Sequence, residues 1–303
     1  MRMTSRLPLI AVLLVAAAFK PGTRPELRNA ILISWDGAGG EHVRASLRAG
    51  KLPNLARMTR PGAGALVDLE VTGHGTDTKP GHAQMLTGYD SNLTSVYSNT
   101  KFGAIPKGYT VFERLQQAFG KSIVTIMLTG KGPNLGSQDP EGGSPEPFYL
   151  TRPSLTVWDG DLIRPARIVG EHALRHLDRY AGKDRFFLFI HFADVDVGGH
   201  YFGEDSPEYD RALVEVDAWL GKILDALDGK GVADRTLVYV SADHGFDKGT
   251  KRHSSASHIF LATNDPRVVR AGEQRDIAPT VLAAMGVDLG KITPRLPGKV
   301  LSK

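Results

Sequence analysis

Six short runs of consecutive apolar residues punctuate the chain, at 30–34, 65–71, 122–128, 185–192, 236–241 and 259–263. Between them, apolar residues recur every three or four positions. That alternation predicts strands of a parallel sheet covered by helices. A strand buried on both faces reads as a continuous apolar run, as these do. The spacing predicts helices over 111–119, 162–180, 207–227 and 277–285. The third is the clearest, because Leu213, Val216, Leu220, Ile223, Leu224 and Leu227 keep a 3.6-type period. Two long segments break the pattern: 72–108 is rich in Gly, Thr, Ser and Asn, and 129–154 is rich in Gly and Pro. Long irregular loops in a compact domain often carry function. No repeat or linker divides the chain. The expected fold is therefore one α/β domain over residues 19–303, with a mostly parallel central sheet flanked by helices.

Charge changes this picture little. The 303 residues include 37 basic and 33 acidic ones, and no basic run that suggests a nucleic-acid surface. The N-terminus is more specific. Arg2 and Arg6 precede an apolar run over 7–19 that contains Ala16-Ala17-Ala18. A basic start, a short apolar core and small residues predict a signal peptide over 1–18 and an exported protein, periplasmic or secreted. A membrane span needs roughly 20 apolar residues, so no stable span is expected after cleavage. The chain has no cysteine, which excludes disulfides and thiol chemistry.

The candidate chemistry sits where the apolar runs end. Asp36 follows the first run and precedes Gly37. Alone it reads as a turn, but ligands of open α/β sheets bind at the carboxyl ends of strands. Asp196 and His200 follow the fourth run, separated by Gly198-Gly199. Their spacing suits one helical face, yet a double glycine disfavours a helix, so a tight loop is expected there. Asp243-His244-Gly245 follows the fifth run, and His253 lies in a Ser-rich loop before the sixth, with His258 as its rival. Thr78 begins Thr78-Lys79-Pro80-Gly81-His82, before a helix-like stretch over 83–86. A helix N-terminus there offers backbone N–H groups to a phosphate. Carboxylates and imidazoles suit zinc, with manganese or iron also fitting. A neutral hydroxyl is a poor ligand, so a lone Thr78 among them makes sense as an ionised nucleophile of phosphoryl or sulfuryl transfer.

Together these segments resemble the alkaline phosphatase superfamily, and within it the type I phosphodiesterase/nucleotide pyrophosphatase branch. The resemblance rests on 31–37, Leu52-Pro53-Asn54-Leu55, Thr78-x-Pro80-x-His82 with Leu86-Thr87-Gly88, Asp196-x-x-Gly199-His200, Ser241-Ala242-Asp243-His244-Gly245, 276–280 and Gly298-Lys299-Val300-Leu301. It runs from about residue 30 to the C-terminus. It implies two divalent metal ions. Asp196, His200 and His253 would hold one, and Asp36, Asp243 and His244 the other, together with Thr78. It favours His253 over His258, as standing before the apolar strand rather than in it. It implies hydrolysis of a small phosphate ester through a phosphothreonine intermediate, phosphodiesterase-like, with a phosphomonoesterase, a phosphotransferase or an inactive binding protein as alternatives. Two departures stand out. Gly81 occupies a place where the branch usually has Asn, and no arginine sits where the superfamily's monoesterases clamp phosphate. Lys79 is the candidate substitute, against an exposed lysine of no special role. A standard sulfatase is disfavoured, because Thr78 cannot yield the formyl group those enzymes use.

Overall fold

The computed structural model describes residues 29–135, 146–160 and 162–303. The expected signal peptide and residues 136–145 of the second irregular segment lie outside them. One mixed sheet of eight strands organises the chain, in the order β4-β3-β5-β1-β6-β7-β2-β8. The strands are β1 (Asn29–Trp35), β2 (Ala65–Glu70), β3 (Ile123–Thr129), β4 (Val157–Asp159), β5 (Arg185–Phe192), β6 (Thr236–Ser241), β7 (His258–Thr263) and β8 (Gly272–Glu273). The single α/β domain and its helix-flanked sheet are as expected, and all six apolar runs are strands. β4 and β8 escape sequence reading because three and two residues carry no periodicity.

At the centre, β1 pairs in parallel with β5 on one side and β6 on the other. Every residue of β1 is buried, which explains its apolar stretch Ala30-Ile31-Leu32-Ile33. Only β7 runs against its neighbours, β6 and β2. The loop that joins β6 to β7 therefore starts and ends at the same edge, the one where β1, β5 and β6 finish.

Among the described residues, ten α-helices cover the sheet: α1 (Gly40–Arg48), α2 (Pro53–Met58), α3 (Thr78–Thr87), α4 (Ser91–Thr94), α5 (Val111–Phe119), α6 (Gly132–Leu135), α7 (Ala166–Tyr180), α8 (Asp194–Phe202), α9 (Pro207–Gly229) and α10 (Ile277–Ala284). In α9, Leu213, Val216, Leu220, Ile223 and Leu227 are buried as their period requires, and α9 packs on α7, α8 and α2. Ser206 caps α9 by accepting the Tyr209 N–H at 3.1 Å. The helix expected over 162–180 is α7, which begins at Ala166 because Pro165 is its N-cap residue and fixes the entry. The irregular segment 72–108 holds two helices, α3 and α4.

One expectation is overturned. Asp196 and His200 lie on a helix, α8, in spite of Gly198-Gly199. Gly199 answers a demand for space, which outweighs its low helix propensity. A Cβ on Gly199 would stand 2.5 Å from the Phe246 ring, so only glycine lets α8 lie this close to the β6–β7 loop. Among the described residues, no helix is long and apolar enough to cross a membrane.

Candidate metal centre

Asp36 leaves the end of β1 fully buried. Its turn needs glycine: Gly37 has φ +78°. The Tyr209 hydroxyl braces that turn, donating to the Gly37 carbonyl at 2.7 Å. Asp243 and His244 leave the end of β6 and are also fully buried. Asp243 Oδ1 accepts the N–H of Gly37 at 3.1 Å and of His244 at 3.0 Å. That leaves Oδ2 as the atom facing the site.

α8 brings Asp196, 3% exposed, and His200 towards these residues. His200 Nε2 is 3.3 Å from Asp196 Oδ1 and 3.2 Å from His253 Nε2. The His253 ring stacks on that of His244 with centroids 4.1 Å apart. Its loop is held by Asp247, whose carboxylate accepts the Ser254 and Ser255 N–H groups, and by a hydrogen bond from the Thr76 hydroxyl to the His253 carbonyl. His258 lies elsewhere, on β7, with Glu70 at 2.8 Å.

Two groups of residues can each hold an ion: Asp36, Asp243 and His244, all buried, and Asp196, His244 and His253 nearer the surface, with His200 beside the second. The first holds the three residues that the resemblance groups with Thr78, and the second has His244 where the resemblance puts His200. In the second, His244 also faces the outer residues, because its Nε2 lies 3.6 Å from Asp36 Oδ1, 3.4 Å from Asp243 Oδ2 and 3.9 Å from Asp196 Oδ1.

The donor chemistry fits metal ions. Asp36 Oδ1, Asp196 Oδ1, Asp243 Oδ2 and His244 Nε2 are buried without a hydrogen-bond partner among the described residues. Each such atom costs on the order of 1–3 kcal/mol if it stays unsatisfied. Four of them converging on one another is the signature of a cation's ligands. The imidazoles are turned for the task. His244 Nδ1 donates to the Gly245 carbonyl, which leaves its Nε2 free, and His200 Nδ1 donates to the Lys251 carbonyl, which turns its Nε2 towards Asp196 and His253.

Electrostatics report the same crowding. Burial and the nearby Asp36 charge push the Asp243 carboxyl up to about 7. Burial also opposes ionisation of Asp36, but Lys131 and His191 outweigh it and hold that carboxyl well below its usual value. Burial lowers His253, helped by the neighbouring His244. His200 is raised, chiefly by its contact with Asp196.

Thr78 opens α3 and is 3% exposed. The first turn of α3 packs against Asp243. A Cβ on Gly81 would meet the Asp243 Cβ and carbonyl oxygen at 2.9 Å, which explains glycine there. His82 Nδ1 donates to the Thr78 carbonyl at 2.8 Å and lies 3.4 Å from Asp243 Oδ2. Burial pushes that imidazole down to about 4, so it is neutral, and its Nε2 accepts from the Ser34 hydroxyl. At the start of α3, Lys79 donates its N–H to Asn99 Oδ1 and Pro80 has none, which leaves the Thr78 N–H as the remaining donor. Lys79 itself is not exposed. Its buried ammonium sits 3.4 Å from the Phe102 ring centroid and 3.4 Å from Glu146.

Sequence reasoning missed four residues of this edge. Lys131, just past β3, contacts both Asp36 and Asp196. His191 donates from Nε2 to Asp36 Oδ2 at 2.9 Å, because its Nδ1 accepts the Gly130 N–H. Asn99 and Asp247 complete the set. A strand-end position marked Lys131. His191 was hidden inside an apolar strand, and nothing in the loop sequence marked Asn99.

With this geometry in view, comparison with known proteins is decisive. A family model for type I phosphodiesterase/nucleotide pyrophosphatase matches residues 30–296. The chain belongs to this family. The matched span encloses all seven candidate residues. A 2,3-bisphosphoglycerate-independent phosphoglycerate mutase of Wolbachia pipientis wMel is 25% identical over 163 residues, covering 51% of this chain and 30% of its own. An uncharacterized pyrophosphatase/phosphodiesterase of Schizosaccharomyces pombe is 24% identical over 255 residues, covering 77% of this chain and 47% of its own. The chain thus spans less than half the length of these curated relatives. Among solved structures, murine ectonucleotide pyrophosphatase/phosphodiesterase 5, an inactive variant in complex with AMP, gives a TM-score of 0.61 at 13% identity, over 90% of this chain and 97% of that one. A phosphonate monoester hydrolase from Silicibacter pomeroyi gives 0.61 at 15% identity, over 90% and 75%. These two share the family member's fold.

Proposed function

We propose that the chain is an exported, two-metal phosphoric ester hydrolase, phosphodiesterase/nucleotide pyrophosphatase-like, in which Thr78 is the nucleophile. The observation that carries the reading is the convergence of four partnerless buried ligand atoms beside the first turn of α3. Asp36, Asp243 and His244 would hold one ion, and Asp196, His200 and His253 the other. Zinc suits this mixture best, with manganese or iron as fits. Bound divalent ions supply Lewis-acid charge and make a hydroxyl acidic near neutral pH.

The chain's own residues do the rest. In this reading Thr78 would face the site from the start of α3, with its N–H beside the position a phosphoryl oxygen would take. Asn99, whose Oδ1 accepts the Lys79 N–H, keeps its amide NH₂ as a further donor at the start of α3. Thr78 Oγ forms a bond to phosphorus as the ester oxygen departs, and the hydroxyl proton ends on the departing alcohol. A water oxygen then displaces Thr78 Oγ, and the water's proton restores the hydroxyl. His82 takes no proton in this scheme. It fixes the Thr78 carbonyl, and so the start of the helix.

The test is turnover of p-nitrophenyl phosphate and bis-p-nitrophenyl phosphate, with and without chelator, beside Thr78→Ala. The proposal expects chelator-sensitive turnover that Thr78→Ala abolishes while its metal content is kept. Normal turnover by Thr78→Ala would refute the nucleophile. Export is tested separately, by mass spectrometry of the mature protein, which should begin at about residue 19.

A further inference from the structure

α7 carries two histidines one helical turn apart, His172 and His176, and both reach the carboxylate at the end of β4. Residues four apart on a helix are neighbours on its surface. The two rings converge on one atom: His172 Nδ1 lies 2.7 Å from Asp159 Oδ2, and His176 Nε2 lies 3.0 Å from the same oxygen. None of the three residues belongs to the candidate metal centre, and the proposed hydrolysis uses none of them.

Two imidazoles at i and i+4 of a helix, joined by one carboxylate, make an open three-ligand site that suits zinc. Such an ion sits roughly 2.0–2.2 Å from each ligand atom, so tetrahedral neighbours stand about 3.3 Å apart. The two contacts to Asp159 Oδ2 are shorter than that. An ion would therefore enter by spreading the rings from the oxygen and turning them towards each other. Their side chains, 26% and 17% exposed, have the freedom to turn. Each ring would then carry its proton on the other nitrogen and offer the freed lone pair to the ion.

Arg164 holds the carboxylate for this role. Its Nη1 donates to Asp159 Oδ1 at 2.7 Å, and its Nη2 donates to the Asp159 carbonyl at 2.6 Å. The guanidinium thus occupies the far oxygen and leaves Oδ2 to α7. Ligating carboxylates are themselves hydrogen-bonded by outer partners of this kind. Arg164 Nη1 also stands 3.4 Å from His172 Nδ1. A fixed positive charge so near weakens the hold on a dication, so this site should release metal more readily than the buried central one.

We propose that Asp159, His172 and His176 form a further, weaker site for a transition-metal dication such as zinc, at the β4 edge of the sheet. The proposal does not rest on the hydrolase reading. Its rival is a cluster held by hydrogen bonds alone, with both imidazoles donating to Asp159.

The experiment starts from protein freed of loosely held metal by dialysis, with its remaining metal content measured. Wild type, His172→Ala and His176→Ala are then titrated with Zn²⁺ by calorimetry. Wild type should take up one further equivalent. Each variant should keep the tightly held metal and the melting behaviour of its central site, and should bind the further Zn²⁺ more than about 100-fold weaker, a greater loss than removing an outer partner brings. A second reading needs no variant: Cu²⁺ added as the further equivalent to wild type should show, by electron paramagnetic resonance, hyperfine coupling to two imidazole nitrogens. No further equivalent in wild type, or one undiminished in both variants, would overturn the proposal and leave the hydrogen-bonded cluster.

Discussion

Gly199→Ala puts a single methyl group between the helix that carries Asp196 and His200 and the loop that carries His244 and His253. Two effects oppose each other. Alanine is favoured over glycine inside a helix by about 1 kcal/mol. The added carbon would stand 2.5 Å from two atoms of the Phe246 ring. Overpacking of that kind costs about 1–3 kcal/mol. The ring has little room to yield, because it is 8% exposed and is packed edge-on against His200, Tyr209, His244 and His253. The clash therefore wins, by up to about 2 kcal/mol, and the strain falls on residues that surround three of the candidate ligands. Gly198→Ala is the internal control. Its nearest neighbour is Tyr209 Cα at 3.4 Å, an ordinary contact, so only the helix-propensity gain applies. Urea unfolding in chelator should show Gly199→Ala destabilised and Gly198→Ala stabilised by about 0.5–1 kcal/mol. Metal titration should show the outer site weakened about 10-fold in Gly199→Ala alone, as about 1.4 kcal/mol of strain implies. Equal stabilisation of both variants, with unaltered metal affinity, would refute the account of why α8 contains two glycines.

Further outcomes are expected. His253→Ala and His200→Ala should each reduce tightly bound metal from two equivalents towards one, read by elemental analysis, because the buried group of Asp36, Asp243 and His244 is untouched. Asp217→Ala should destabilise the protein by about 2–4 kcal/mol in urea unfolding, because its carboxylate accepts the N–H groups of Asn54 and Leu55 at the start of α2. Asp159 sets part of the acid limb of stability. Burial works against its ionisation, but His176, Arg164 and His172 prevail and lower its pKa in the fold. A lowered carboxylate pKa contributes stability above the unfolded value of 3.8, and this is lost as pH falls through the folded one. Asp159→Asn should therefore flatten the decline of melting temperature below about pH 4, and an unchanged slope would assign that decline to other groups.

How much of this was legible depends on what each residue's neighbours in sequence reveal. The strands were readable because burial on both faces leaves an apolar run with no interruption. Asp36, Asp243 and His244 were readable because a polar residue directly after such a run has a known edge to stand on. The geometry of Asp196 and His200 was not. Gly199 between them answers to Phe246, a residue 47 positions away whose approach no local pattern records. Lys131 was missed for the same reason. A lysine between glycines in an irregular loop reads as solvated, and only the fold shows two carboxylates waiting for it. His191 looked like one more member of a strand, since a buried imidazole and a buried phenyl ring interrupt an apolar run equally little.

The central ladder has a bearing on how the protein matures. Asp36 and Asp243 follow the ends of two adjacent strands, β1 and β6, Asp196 stands on α8 just past β5, the other neighbour of β1, and His253 returns on a loop closed by β7. A slip of one residue between any two strands would displace a ligand by roughly 3.3 Å and turn its side chain to the opposite face. No partly assembled sheet can present the full set. Uptake of metal is then a checkpoint on the middle of the sheet: a chain that has captured its ions has already registered its four core strands, and a chain that has not remains distinguishable from the finished product by metal content alone.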